Sequence, residues 1–187
     1  GGGVGGQEAY ELAMYFGARK MTLDCVEKRG RRGYFFLTGD VRPNPAASRT
    51  EIERLIGDPV ASDMPIRSLI EELQRTFEPF FLIAPGAGRA IERAWRDLLG
   101  DRVVCLQHVD DTAAVSAGLI ALLEGAVVSL GAYAERLHAG GVSRKEAARV
   151  VRTLVPFAAS VHRDGAPIPE LSGTDLPKGD PPSGLQR

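Results

Sequence analysis

An α/β fold, with a mostly parallel, Rossmann-like sheet flanked by helices, is what this sequence predicts. Three observations carry that expectation. Three apolar runs, Tyr34-Phe35-Phe36-Leu37, Phe80-Phe81-Leu82-Ile83 and Val103-Val104-Cys105-Leu106, read as strands. Segments with apolar residues three and four apart, the period of a helix, separate them. The connections are short, as expected when strand and helix alternate in right-handed crossovers that leave the strands adjacent and parallel.

From Glu8 to Glu27 the positions Tyr10, Ala13, Met14, Gly17, Ala18, Met21 and Cys25 fall on one face, predicting a single helix stopped by Gly30. The strand at Tyr34 follows, and its unbroken apolar character suits a strand covered on both faces. Ser48-Arg49-Thr50-Glu51 has the capping-box pattern and opens a short helix ending near Gly57. Pro65 stands at a first helical position, with Ile66, Leu69, Ile70 and Leu73 turned inward behind it. The segment Arg89 to Leu99 is helical and places Trp95 on the inner face with Ile91, Leu98 and Leu99. Asp110 is placed to cap a helix running to about Glu124.

Beyond Ala126 the pattern is helical: Val127 to Leu137, then a second capping box, Ser143-Arg144-Lys145-Glu146, opening a helix with Ala147, Val150, Val151 and Leu154 on one side. After residue 163, five prolines and four glycines with few large apolar residues predict a disordered tail. The expected organisation is therefore an α/β portion over residues 1–125, a helical extension over 126–163 and a tail over 164–187. The opening Gly1-Gly2-Gly3-Val4-Gly5-Gly6 has no initiator Met and no signal core, and reads as a stretch from inside a longer protein. Three strands are few for such a sheet, so further strands are expected upstream, and an unpaired edge would make this stretch alone prone to associate.

Composition narrows the function. A net charge of −1 gives no basic excess for nucleic acid. The one basic cluster, Lys28-Arg29-Gly30-Arg31-Arg32, lies at a helix end, where cations complement the helix dipole. No apolar stretch is long enough to span a membrane, since Ala113 to Ala132 is broken by Ser116, Glu124, Ser129 and glycines. Two cysteines, Cys25 and Cys105, in apolar periodic segments fit a reducing, cytoplasmic compartment.

Among candidate sites, Asp40 leads. It follows the first apolar run directly, at Thr38-Gly39-Asp40, and in open α/β sheets ligands bind beyond the carboxyl ends of the strands. Asp40 is therefore a candidate metal ligand or partner contact; capping its own turn is the other reading. Gln107-His108-Val109-Asp110-Asp111 follows the third run and offers His108, Asp110 and Asp111 as further donors, or as a helix cap and a solvated histidine. The opening glycines invite a phosphate cradle, but Gln7-Glu8 stands where a P-loop has Lys-Ser/Thr, and no nucleophile-base pair can be named around Ser48, Ser116, Ser143, His138 or His162.

The segments Glu8-Ala9-Tyr10-Glu11-Leu12-Ala13-Met14-Tyr15, Glu27-Lys28-Arg29-Gly30, Tyr34 to Asp40, Leu55-Ile56-Gly57-Asp58 and Phe80 to Ile83, in this order and spacing, resemble bacterial von Willebrand factor A-type (vWA) domain proteins over roughly residues 1–125. The resemblance implies a vWA-like sheet lacking its first strands and a metal ion-dependent adhesion site at its carboxyl edge. In that site an Asp-x-Ser-x-Ser loop, a Thr and an Asp after the fourth strand hold Mg²⁺, and a partner carboxylate completes the shell. Asp40 matches the last of these ligands. The Thr position falls in the Gly-rich opening, which has no hydroxyl, and the first loop would precede Gly1. The implied function is a protein-interaction module with a partial or degenerate metal site, no enzymatic activity and a protein partner, with Mg²⁺ as a candidate cofactor of a longer protein and none expected in this stretch. The alternative is a metal-dependent hydrolase or phosphotransferase using Asp40 and His108.

Overall fold

The computed structural model describes residues 8–163; the Gly-rich opening and the predicted disordered tail lie outside the described residues. The chain divides into two compact units, Gly1–Leu106 and Gln107–Arg187.

The first unit is α/β. Its elements are α1 (Tyr10–Lys20), α2 (Asp24–Arg29), β1 (Gly33–Gly39), β2 (Ala46–Ala47), α3 (Arg49–Ile56), β3 (Met64–Pro65), α4 (Ile66–Leu73), β4 (Phe77–Ile83), α5 (Arg89–Leu99) and β5 (Val103–Cys105), with a 3₁₀ turn at Gly100–Arg102 before the last strand. The three predicted strands form one sheet in the order β1-β4-β5, both pairs parallel, with Leu37 opposite Phe81 and Phe81 opposite Val103. A second, antiparallel ladder joins β2 to β3 through two residues on each side, too short to leave any periodic trace in the sequence.

Two expectations are corrected here. The predicted single helix from Glu8 to Glu27 is broken, because Met21 and Leu23 are extended (ψ 129° and 120°) and α2 starts anew at Asp24. Gly30 ends α2 in the left-handed conformation at φ 62°, its N–H bonded to the Val26 carbonyl and that of Arg31 to the Cys25 carbonyl. The second correction concerns β1. Far from being covered on both faces, it is the edge of the described sheet, half-buried with Thr38 exposed, while β4 is central and buried at every position but Glu78. Pro79 fits in this central strand because it precedes Phe81–Ile83, the stretch paired with β5, so among the described residues β4 has a strand on only one side there.

The core lies where α1, α4 and α5 meet the sheet. Ile66, Leu69, Ile70 and Leu73 of α4 are all buried, as their spacing predicts, alongside Met14 and Tyr15 of α1 and Phe77, Phe81 and Ile83 of β4. Trp95 of α5 is fully buried and stacks on Phe81 with ring centroids 3.7 Å apart; Tyr10 meets both rings edge-on at 5.1 and 5.3 Å. Leu99 is buried, whereas Ile91 and Leu98 are half-buried. On α1 the buried set is Tyr10, Glu11, Leu12, Met14, Tyr15 and Gly17, and Ala13 is exposed. Gly17 admits Phe35 and Leu73, whose atoms would lie 2.8 and 3.0 Å from a Cβ. Arg19 ties α1 to α4 through two 2.8 Å bonds to Glu72.

The second unit is helical: a 3₁₀ turn at Val109–Asp111, then α6 (Thr112–Leu123), α7 (Leu130–Ala139) and α8 (Arg144–Arg163). It takes in α6, which the sequence groups with the α/β portion. The buried face of α8, Ala147, Val150, Val151 and Leu154, matches its spacing. The Ser143/Glu146 capping box forms in full: Ser143 Oγ accepts from Glu146 N at 3.3 Å and Glu146 Oε2 accepts from Ser143 N at 3.1 Å. The other expected box does not form. Ser48 makes no capping bond, and Asp63 Oδ1 instead accepts from Arg49 N at 2.8 Å.

Gly118 lies where α6 is crossed closely by side chains of α7 and α8. A Cβ there would stand 2.5 Å from Leu154 Cδ1 and 2.8 Å from Tyr133 Cε1, both on fully or nearly fully buried side chains. Alanine gains about 1 kcal/mol over glycine in a helix interior, but overpacking costs about 1–3 kcal/mol. Gly118→Ala should therefore destabilise this unit, read as a lower urea midpoint; a raised midpoint would mean that the helices part without cost.

Candidate functional site

The carboxyl edge of a parallel sheet is where its strands deliver side chains to a ligand. Here β1 ends at Gly39 and β4 at Ile83, and Ala84 N donates to the Gly39 carbonyl at 2.9 Å, holding the two strand ends together. Asp40 follows at once, exposed in a bend with Val41. Its carboxylate makes no hydrogen bond or ion pair among the described residues.

Gly39 is required by what lies over it. A Cβ would overlap the Tyr10 hydroxyl and stand 2.6 Å from Tyr10 Cζ and 2.8 Å from Glu8 Oε2. The Tyr10 hydroxyl in turn donates to the Glu8 carboxylate. The start of α1 thus sits on the end of β1, next to Asp40, and a side chain at position 39 would push it away.

The segment leaving Asp40 is fastened from below. Trp95 Nε1 donates to the Val41 carbonyl at 3.0 Å, Asn44 Nδ2 donates to Glu11 Oε1 at 3.0 Å and to the Glu8 carbonyl at 3.5 Å, and Ile66 N donates to the Pro45 carbonyl at 2.9 Å. Glu11 is the least expected member. It is 1% exposed, and burial pushes its carboxyl above the ordinary value, against the opposing pull of the Asn44 amide. Sequence reading passes over Glu11, although it stands three and four residues before Met14 and Tyr15 and so shares their face.

The second candidate group belongs to the second unit and behaves differently. His108 and Asp110 are both exposed, with His108 Nδ1 accepting from Asp110 N at 3.3 Å and lying 3.4 Å from Asp110 Oδ2. The histidine thus caps the 3₁₀ turn, and the predicted Asp110 cap on α6 is not made; Asp111 holds that position without a side-chain capping bond. Asp111 is buried and already engaged, accepting from Arg149 Nε and Nη2 at 2.6 and 2.7 Å. Both cysteines are free, Cys25 half-buried and Cys105 exposed.

As a metal site the described donors fall short. Mg²⁺ demands near-octahedral oxygen ligation, and Asp40 offers one carboxylate. No group of three or more His, Cys, Asp or Glu that could hold a metal ion occurs among the described residues, and no helix among them is long and apolar enough to cross a membrane. No family model, curated protein or solved structure matches this chain.

Proposed function

We propose that this chain is a protein-interaction module of vWA type, which engages a protein partner at the carboxyl edge of its sheet through Asp40, the remaining carboxylate of a partial metal ion-dependent adhesion site. The observation that carries this reading is the placement of Asp40: an exposed acid directly after a strand of a parallel β1-β4-β5 sheet, with its oxygens not engaged by the described residues around it. Ligand crevices of open α/β sheets lie at that edge. The role is binding and not turnover, in a bacterial cytoplasmic setting, and the partner's own carboxylate would complete the metal shell.

Metal dependence tests it. A ligand that binds only the folded state stabilises it by about 2.7 kcal/mol at one hundred times its Kd. The 187-residue chain, which holds only Asp40 of the implied metal shell, should show no Mg²⁺-dependent gain in thermal melts. A longer chain carrying an Asp-x-Ser-x-Ser loop should show a saturable gain, and Asp40→Ala should abolish it while changing metal-free stability by less than about 0.5 kcal/mol, as usual for an exposed side chain. If the longer chain gains nothing from Mg²⁺, Asp40 is no metal ligand. Hydrolysis of phosphate or acyl esters with divalent metals, lost in Asp40→Ala, would instead establish the enzymatic alternative.

A further inference from the structure

Glu11 is a buried titratable group to which the proposed function assigns no task. Its Oε1 accepts from Asn44, while Oε2 is buried with no hydrogen-bond partner among the described residues. Asn44 belongs to Val41–Pro45, a segment with no helix or strand of its own that leads directly out of Asp40. The other ties on that segment, from Trp95 Nε1, Ile66 N and the Glu8 carbonyl, are between neutral groups. The Glu11 contact is the one among these ties made by a titratable group: its hydrogen bond from Asn44 favours the carboxylate, and the larger cost of keeping that carboxylate dry works the other way.

We propose that Glu11 is a proton-controlled latch on the segment following Asp40: neutral Glu11 keeps Asn44 docked on α1, and ionisation favours an undocked segment in which the carboxylate reaches water. An ionised carboxylate held dry, with one oxygen bonded to a single side chain and the other without a partner among the described residues, is poorly compensated. Opening the segment is the simplest motion that hydrates it. Burial is the largest influence on the Glu11 proton and raises its pKa; the neutral Asn44 amide and the backbone N–H of Glu11 itself act against this, and the Glu51 carboxylate on α3 is the charged side chain that acts with it. The sign follows. The docked form binds the proton more tightly than the open one, so docking is complete below the ordinary carboxylate value and weakens as pH rises through the Glu11 pKa of the docked form. The effect on binding at Asp40 rests on the proposed function, but the latch does not, and its test uses neither metal nor partner.

The test is a pH titration of the 187-residue chain by NMR, following the Glu11 carboxyl carbon, the Asn44 side-chain amide and the backbone amides of Val41, Arg42 and Asn44. All should move with one midpoint, and the ratio of docked to open segment should fall about tenfold for each pH unit by which docking raises the Glu11 pKa. In Glu11→Gln the segment's signals should no longer respond to pH over this range. Asn44→Ala separates a latch from simple burial. Removing an amide that stabilises the carboxylate would raise the Glu11 pKa if the group stayed buried, whereas release of the segment should bring it down toward its ordinary value. A rise in Asn44→Ala, or segment signals in the wild type that stay fixed through the Glu11 titration, would overturn the proposal. If neither variant folds, the wild-type ratio of docked to open segment still tests the proposal: a segment that stays docked while Glu11 ionises overturns it.

Discussion

Trp95→Ala should destabilise the α/β unit by about 3–5 kcal/mol, the range for truncating a large buried aromatic residue. The ring is fully buried, stacked on Phe81 and met edge-on by Tyr10, so its removal leaves a cavity bounded by two other aromatic side chains. Its indole N–H is the donor to the Val41 carbonyl, so truncation also releases one tie on the segment after Asp40. Trp95→Phe separates the two contributions: it keeps most of the ring packing and loses the hydrogen bond, worth about 0.5–1.5 kcal/mol. Trp95 is the chain's single tryptophan, so urea unfolding is followed for all variants by circular dichroism instead of fluorescence. A loss below about 1 kcal/mol for Trp95→Ala would mean that α5 does not pack on β4 through this ring.

In the helical unit the largest expected effect is at Asp111. Its carboxylate is 4% exposed and takes both Arg149 bonds in the parallel, two-point geometry that suits a guanidinium. Breaking a buried ion pair from one side costs about 3–5 kcal/mol, because the partner's charge is left uncompensated. Arg149 keeps 21% of its side-chain surface exposed and can turn partly toward water, which places Asp111→Ala near the lower end, at about 3 kcal/mol. Replacing both residues with apolar ones, as in Asp111→Leu with Arg149→Met, removes the stranded charge and should recover much of the loss. Equal losses for the single and double variants would show that shape, and not charge, sets the cost. A single-variant loss below about 1 kcal/mol, sensitive to salt, would mark the pair as a screened surface contact.

The contrast between Ser143 and Ser48 shows how far local reading reaches. Both sequences have a Ser followed three residues later by Glu, and both helices start where that pattern puts them. Only Ser143 completes the box; Ser48 makes no side-chain capping bond, and the carboxylate of Asp63, fifteen residues further on, accepts from the Arg49 N–H at that helix start instead. The same holds at the α6 terminus, where two adjacent acids look alike in sequence and Arg149, 38 residues away, takes Asp111. At the candidate site, Asp40 could be found because an apolar strand ending in an acid is a local pattern. Glu11 is harder to find: its spacing puts it on the face of Met14 and Tyr15, but nothing local says that an acid stays buried there until Asn44, 33 residues later, is known to lie against it.

What the sequence by itself determined is therefore the kind and order of the elements: three strands with helices between them, the bounds of α5, the inner faces of α4 and α8, and the helix stop at Gly30. These follow from periodicity, caps and glycine conformation, each acting within about one helical turn or a few strand residues. Only the tertiary structure decided that β4 and not the equally apolar β1 occupies the middle of the described sheet, that the first predicted helix breaks at Met21, and that an acid of α1 is buried beneath the segment leaving Asp40. Burial and pairing of this kind depend on which distant residues share a surface, and contacts between residues more than thirty positions apart leave no periodic mark on the chain that makes them.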